Sequence, residues 1–163
     1  MPNLAPLFAA EPLVQVHVLA ACLSILLAPL IIFRSRRDRL HKVGGYVWVT
    51  SMAITALSSF GISGIGLIGP FSPIHLLSIF TLVGLFTGVR LAIRRNIAAH
   101  QDAMRSLAFW ALGVAGTLAF MPGRLMNRML FPDQPDVGFF YVLVAVASLG
   151  ALAHYLKLRP RVN

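Results

Sequence analysis

The sequence predicts an all-α fold, an integral membrane helical bundle that crosses the bilayer about five times. Two facts of composition and one pattern carry that expectation. Apolar residues make up 58% of the 163-residue chain and charged residues only 12%, against about 45–50% and 25% in soluble domains. A soluble fold of this length has too much surface to be so poor in polar groups, whereas a chain in lipid can be apolar on its outside as well. The mean hydropathy of +0.80 agrees. The pattern is a series of apolar runs separated by short basic clusters, as expected of helices that need about 20 residues, at about 1.5 Å each, to cross a hydrocarbon core of about 30 Å.

Five runs meet or approach that length within a single domain covering 1–163. They are 12–33, 43–68, 75–93, 103–121 and 137–156, the fourth with a possible extension to Leu130. The first is longer than a signal-peptide core, has no Lys or Arg before it, and is followed by Arg34, Arg36 and Arg37; it reads as an uncleaved first span. Gly69, Pro70 and Pro73 punctuate the second connection, and Pro132 and Pro135 the fourth. Inside lipid, small residues let helix backbones approach, so Gly84 with Gly88, Gly113 with Gly116, and the Ser51, Thr55 and Ser58 face are expected seams.

Orientation follows from where the cations sit. The first connection holds Arg34, Arg36, Arg37, Arg39 and Lys42; the third holds Arg90, Arg94, Arg95 and Arg105; the tail holds Lys157, Arg159 and Arg161, together 12 of the 14 basic residues. The positive-inside rule then puts the N-terminus outside and the C-terminus in the cytoplasm of a bacterial inner membrane, which an odd number of spans satisfies. The net charge of +9 is therefore read as an orienting signal and an attraction for anionic lipids, not as a nucleic-acid surface. Cys22 has no second cysteine to pair with. No Ser-His-Asp arrangement, phosphate loop, zinc-finger spacing or HExxH helix occurs.

Several stretches together resemble a known family. They are His17 early in the first span, Leu40-His41-Lys42-Val43-Gly44-Gly45 entering the second, and Phe71-Ser72-Pro73-Ile74-His75-Leu76-Leu77-Ser78 entering the third. His100 with Met104 and Arg105, and Phe120-Met121-Pro122-Gly123-Arg124, complete the set. The combination is similar to the bacterial membrane proteins grouped as domain of unknown function 2306, over roughly His17 to Arg128. The resemblance implies the fold and draws attention to these residues; it implies no reaction. Lys42 stands where members often have Arg, and Gly45 where a basic residue is frequent.

The histidines are the chemically telling residues. Five residues into the first span, about 7 Å below its outer end, lies His17, and His75 opens the third span on the same side. His41 precedes the second span and His100 the fourth, both on the cytoplasmic side. Ionisable groups at membrane depth usually face a bundle interior, a cavity or a cofactor. An iron held between two imidazoles on facing helices has no open position for oxygen and suits electron transfer. The layout is similar to that of cytochrome b561-type carriers, with one haem near each leaflet. On that reading His17 and His75 ligate an outer b haem, His41 and His100 an inner one, and Arg124 pairs with a propionate of the outer haem; quinone is a candidate redox partner.

Other readings stay open. The same imidazoles can be interfacial or turn residues, with His75 capping backbone groups freed by Pro73. Asp38 and Asp102, with His41, His100 and Met104, can instead form a cytoplasmic divalent-metal site. Arg124 can pair with Asp133 or Asp136. The chain can also be a non-catalytic accessory subunit of a larger respiratory or photosynthetic complex. A small transporter is disfavoured, because no carboxylate lies within the spans. His154, in the fifth span, has no evident partner.

Overall fold

The computed structural model describes the backbone of residues 2–32, 34, 36–62 and 73–158, and the side chains of all of these but 73 and 149–158. All regular structure among the described residues is helical. The helices are α1 (Ala5–Phe8), α2 (Pro12–Ile32), α3 (Arg39–Ser59), α4 (Pro73–Ile93), α5 (Ile97–Leu107), a π-helical segment (Ala108–Leu112), α6 (Gly113–Ala119), α7 (Leu125–Leu130) and α8 (Pro135–Leu158). Of these, Pro12–Ile32 and Ile74–Ile93 are long and apolar enough by themselves to cross a membrane. Packing divides the chain into two compact units, Ala10–Ala115 and Met1–Ala9 with Gly116–Asn163.

Helix α2 starts on Pro12, where a missing N–H is harmless and the fixed φ favours the first turn. Helix α3 begins four residues before the apolar run at Val43, because Asp38 caps it: the carboxylate accepts from the His41 backbone N–H at 3.0 Å. It ends at Ser59, short of the expected 68, in a turn through Phe60 and Gly61; residues 63–68 lie outside the described part. Helix α5 begins six residues before the expected 103, with Asn96 accepting from the Ala99 N–H at 3.3 Å. Hydropathy marks the stretch that can sit in lipid, and the caps mark where the helix begins.

In the Ala10–Ala115 unit, α2 and α3 run antiparallel in a register that can be read residue by residue. A Cβ added to Gly44 would meet Ile31 Cδ1 at 2.3 Å, and one added to Gly61 would meet Leu13 Cδ2 at 2.5 Å. Between those ends the fully buried Trp48 donates its indole N–H to the Ser24 carbonyl at 3.0 Å. Helices α4 and α5 pack antiparallel through the Gly84 and Gly88 seam. A Cβ on Gly84 would meet three atoms of the buried Leu107 at 2.6–3.2 Å, and one on Gly88 would meet Met104 Cε at 1.8 Å. Trp48, Met52, Leu85, Met104, Leu107 and Ala111 close the core. At Gly113 and Gly116, the other expected seam, an added Cβ meets nothing within 4 Å among the described residues.

The polarity of the unit is inverted relative to a soluble protein. Ser24, Ser51, Ser58, Ser59, His75, Ser78 and Thr81 are buried, whereas Leu19, Leu26, Leu76 and Phe86 are 65–71% exposed. Buried hydroxyls are satisfied along their own helices: Ser24 donates to the Ala20 carbonyl at 2.9 Å and Thr81 to that of Leu77 at 2.7 Å. Large apolar side chains outside and small polar ones inside suit helices solvated by lipid.

In the second unit, α1 packs on α7 and the Asn3 N–H donates to the Met129 carbonyl at 2.8 Å. Gly123, at φ +84°, makes the turn that ends the Phe120–Arg124 stretch, a conformation only glycine takes cheaply. The wholly buried Asn127 donates through Nδ2 to the carbonyls of Phe120 and Pro135, both at 2.8 Å, tying that turn to the start of α8.

Two predictions follow from these contacts. Gly84→Ala should lower unfolding stability in detergent by about 1–3 kcal/mol, the usual cost of overpacking. Gly88→Ala should cost less, because the end of a methionine can swing aside, and Gly45→Ala, with nothing within 4 Å, should cost nothing measurable. Equal melting temperatures for the variants at 84 and 45 would refute the seam. Asn127→Leu strands two carbonyls and should cost about 1–3 kcal/mol, read as a lowered melting temperature.

Candidate functional site

The four histidines that open the spans all belong to the Ala10–Ala115 unit, and α3 organises them. At its C-terminal end the last turn presents Ser58 and Ser59 side by side. His17, on α2, meets Ser58 Oγ through Nδ1 at 2.9 Å. The single Ser58 hydroxyl hydrogen points back to the Ile54 carbonyl at 2.7 Å, so the hydroxyl accepts and His17 Nδ1–H donates. The neutral ring then carries its lone pair on Nε2.

His75, on α4, is buried and reaches the next residue of the same turn. Its Nε2–H donates to the Ser59 carbonyl at 3.3 Å, and its ring stacks on Phe60 with centroids 5.4 Å apart. The carbonyl also accepts from the Ile62 backbone N–H at 3.2 Å, and its second lone pair takes the ring. Ser59 and Ser78 hydroxyls, 2.5 Å apart, fasten α3 to α4 beside it. Two imidazoles from different helices thus meet adjacent residues of α3.

At the other end of α3, His41 lies in the first turn. Its Nδ1 is buried and without a hydrogen-bond partner. His100, on α5, is close enough to act on it electrostatically. His100 Nδ1–H donates to the Gly88 carbonyl at 2.8 Å, which again leaves the lone pair of the neutral ring on Nε2. Arg34 holds the Asp38 carboxylate through two hydrogen bonds, and Asp38 in turn caps the turn that carries His41. His41 and His100 stand on two different helices, α3 and α5.

These ring environments decide which cofactors the residues fit. Metal-bound histidines characteristically donate the second ring N–H to a carbonyl or hydroxyl, which fixes the tautomer; His17 and His100 do so. His41 offers an orphaned buried nitrogen, a group that calls for a partner. The His75 bond to Ser59, at 3.3 Å, is longer than the usual 2.7–3.2 Å. A porphyrin supplies four nitrogens of its own, so two imidazoles complete an iron. A bare divalent ion is a different case: among the described residues no group of three or more His, Cys, Asp or Glu could hold one. The alternative built on Asp38 and Asp102 is not formed. Met104 packs its thioether against Gly88 and the core.

A family model described as predicted membrane protein, DUF2306, matches residues 14–156. The chain belongs to this family. No curated protein and no solved structure matches the chain. The matched region of this DUF2306 protein takes in both histidine pairs and Arg124. Arg124 is in the other unit, at the cap position of α7, where its N–H donates to the Met121 carbonyl at 3.0 Å. The side chain of His154, in α8, lies outside the described residues.

Sequence reasoning singled out the four histidines. It missed Ser58 as the partner of His17 and the Gly88 carbonyl as that of His100. The signal was present in spacing: Ser58 lies on the Ser51 and Thr55 face, and Gly88 in the seam. Each had been assigned to packing alone.

Burial pushes the pKa of His41 below its ordinary value, and His100, Arg37 and Arg34 push it the same way against the opposing pull of Asp38. Asp38 is held well below the usual carboxylate range, first by the Arg34 hydrogen bond and then by the His41 N–H. With its folded pKa depressed, His41 leaves stability intact above about 6.5, the unperturbed value, and subtracts from it as pH falls below that. The Asp38 contribution is lost only in acid below about 3.9, so the windows are separate. The melting temperature of the DUF2306 protein should decline between pH 6.5 and 5, and less steeply in His41→Gln. An unchanged slope in the variant would assign the decline to another group.

Proposed function

We propose that this protein is a five-span membrane electron carrier, with the N-terminus outside, that binds two b haems, each between a pair of histidines. The outer pair is His17 with His75 and the inner pair is His41 with His100. The observation that carries the reading is the gathering of these rings in twos at opposite ends of α3. His41 and the Ser58–Ser59 turn are 17 to 18 residues apart, about 26 Å along a helix at 1.5 Å per residue, close to the hydrocarbon thickness of about 30 Å.

Supporting it, each pair draws its rings from two different helices, as cofactor sites in helix bundles do. The orientation rests on charge. The antiparallel packing of α2 with α3 and of α4 with α5 brings the connections carrying Arg34 to Lys42 and Arg94 to Asn96 to one end of the unit, and cations favour the cytoplasmic face. When bound, the haems would supply one-electron chemistry. The two histidine pairs would hold and orient them, leaving no coordination position for oxygen. A quinone is the lipid-soluble partner such a carrier would meet in the bilayer.

The test is spectroscopic. Detergent-purified protein expressed with haem supply should show dithionite-reducible Soret and alpha bands, and a pyridine haemochrome assay should give two b haems per chain. His17→Ala or His75→Ala should remove about half of that absorbance, and pairing either with His100→Ala should remove all of it. A colourless, folded protein from the same expression would sink the redox reading and favour an accessory subunit of a larger membrane complex.

A further inference from the structure

We propose that the outward side of α3 is a binding strip for a phospholipid whose headgroup carries net negative charge. Arg39 and Lys42 take the phosphate, Tyr46 the interfacial region below it, and Val47, Ile54 and Leu57 an acyl chain. The strip is independent of the haem reading.

The six residues share one side of the helix. At 3.6 residues per turn they fall within an arc of about 140°, and all are exposed, Tyr46 by 75%. The other sides of α3 are taken: Gly44 and Trp48 face α2, and Ser59 faces α4. Along the strip the chemistry changes in the order in which a phospholipid changes. Cations come first. Tyr46 follows four residues after Lys42, about 6 Å along the axis, and its hydroxyl makes no hydrogen bond among the described residues; tyrosine favours the headgroup level of a bilayer. Beyond it the exposed positions Val47, Ile54 and Leu57 are aliphatic.

The charge at the start of the strip is unmet within the protein. Asp38 is the only carboxylate between Glu11 and Asp102, and it is engaged by the Arg34 guanidinium and by the N–H of the first turn of α3. Among the described residues neither Arg39 nor Lys42 has an ion-pair partner, and the exposed Arg36 and Arg37 add to the same field. Cations in a first helical turn oppose the helix dipole, which favours anions there, so helix stability does not account for their placement. A bound phosphate answers both. A zwitterionic headgroup brings a cation of its own, which this cluster repels, so the preference is for a lipid with net negative charge.

Native mass spectrometry of the full chain in detergent, with phosphatidylglycerol and phosphatidylcholine added in equal amounts, tests this. The expected result is preferential retention of phosphatidylglycerol, with the preference reduced on the order of tenfold when Arg39→Gln and Lys42→Gln are combined. Arg94→Gln combined with Arg105→Gln removes as much charge from exposed positions of the α4 and α5 hairpin and should leave the preference nearly unchanged. Equal losses in the two double variants would make the attraction a matter of total charge. Displacement of the lipid by inorganic phosphate would make the ligand a free anion, and a wild-type chain without preference would leave the strip to a protein partner. Each of these three results overturns the proposal.

Discussion

The antiparallel register of α2 against α3 is the constraint on which the rest of the unit depends. Gly44 admits Ile31, Trp48 reaches the Ser24 carbonyl, Ser58 receives His17, and Gly61 admits Leu13. These four contacts form one ladder, and slipping either helix by a turn would break all of them. In lipid the hydrophobic effect cannot hold two helices together, because acyl chains are as apolar as leucine. What remains is close packing and a few polar contacts, and here both kinds occur on the same ladder. The imidazole of His17 is therefore placed by the same contacts that make the helices adhere.

This coupling explains which parts of the architecture were legible in the sequence. Apolar runs of sufficient length report α2, α4 and α8 with nearly correct bounds, because solvation by lipid is a property of the run itself. The starts of α3 and α5 depend instead on one side chain each, Asp38 and Asn96, accepting a backbone N–H three residues on. A hydropathy pattern passes over such residues, since they are polar and lie outside the apolar stretch. The GxxxG spacing of Gly84 and Gly88 was a sound guide because the Leu107 and Met104 side chains fill the space it leaves. At the similar pair Gly113 and Gly116 an added Cβ meets nothing within 4 Å among the described residues, and spacing alone carries no information about what stands opposite.

The candidate site divides in the same way. That His17 and His75 share one level and His41 and His100 another follows from counting residues in antiparallel helices. Which ring nitrogen is occupied depends on whether a hydroxyl or a freed carbonyl happens to lie opposite, and that is fixed by helix rotation. The most consequential case is Gly88. Its missing side chain lets α5 approach α4, and the same approach brings its carbonyl within 2.8 Å of His100. A residue assigned to packing by its chemistry proves to be a hydrogen-bond acceptor by its backbone.

Inverted polarity gives these contacts their weight. With many leucines and phenylalanines turned outward, the interior of the unit holds, beside its apolar core, serines, a threonine, one tryptophan and the His75 imidazole, each of which needs a partner in a medium without water. Most find one on their own helix, as Ser24 and Thr81 do, and so contribute little to specificity between helices. The imidazoles are too long to bond within their own turn, so they must cross to a neighbour. The rings that cross therefore report helix adjacency, and one that is buried without a partner, as His41 Nδ1 is, marks where the arrangement has been left open to something else. The charged form of that ring is disfavoured first by burial and then by His100, Arg37 and Arg34, at the end of the unit where the chain has collected its charge.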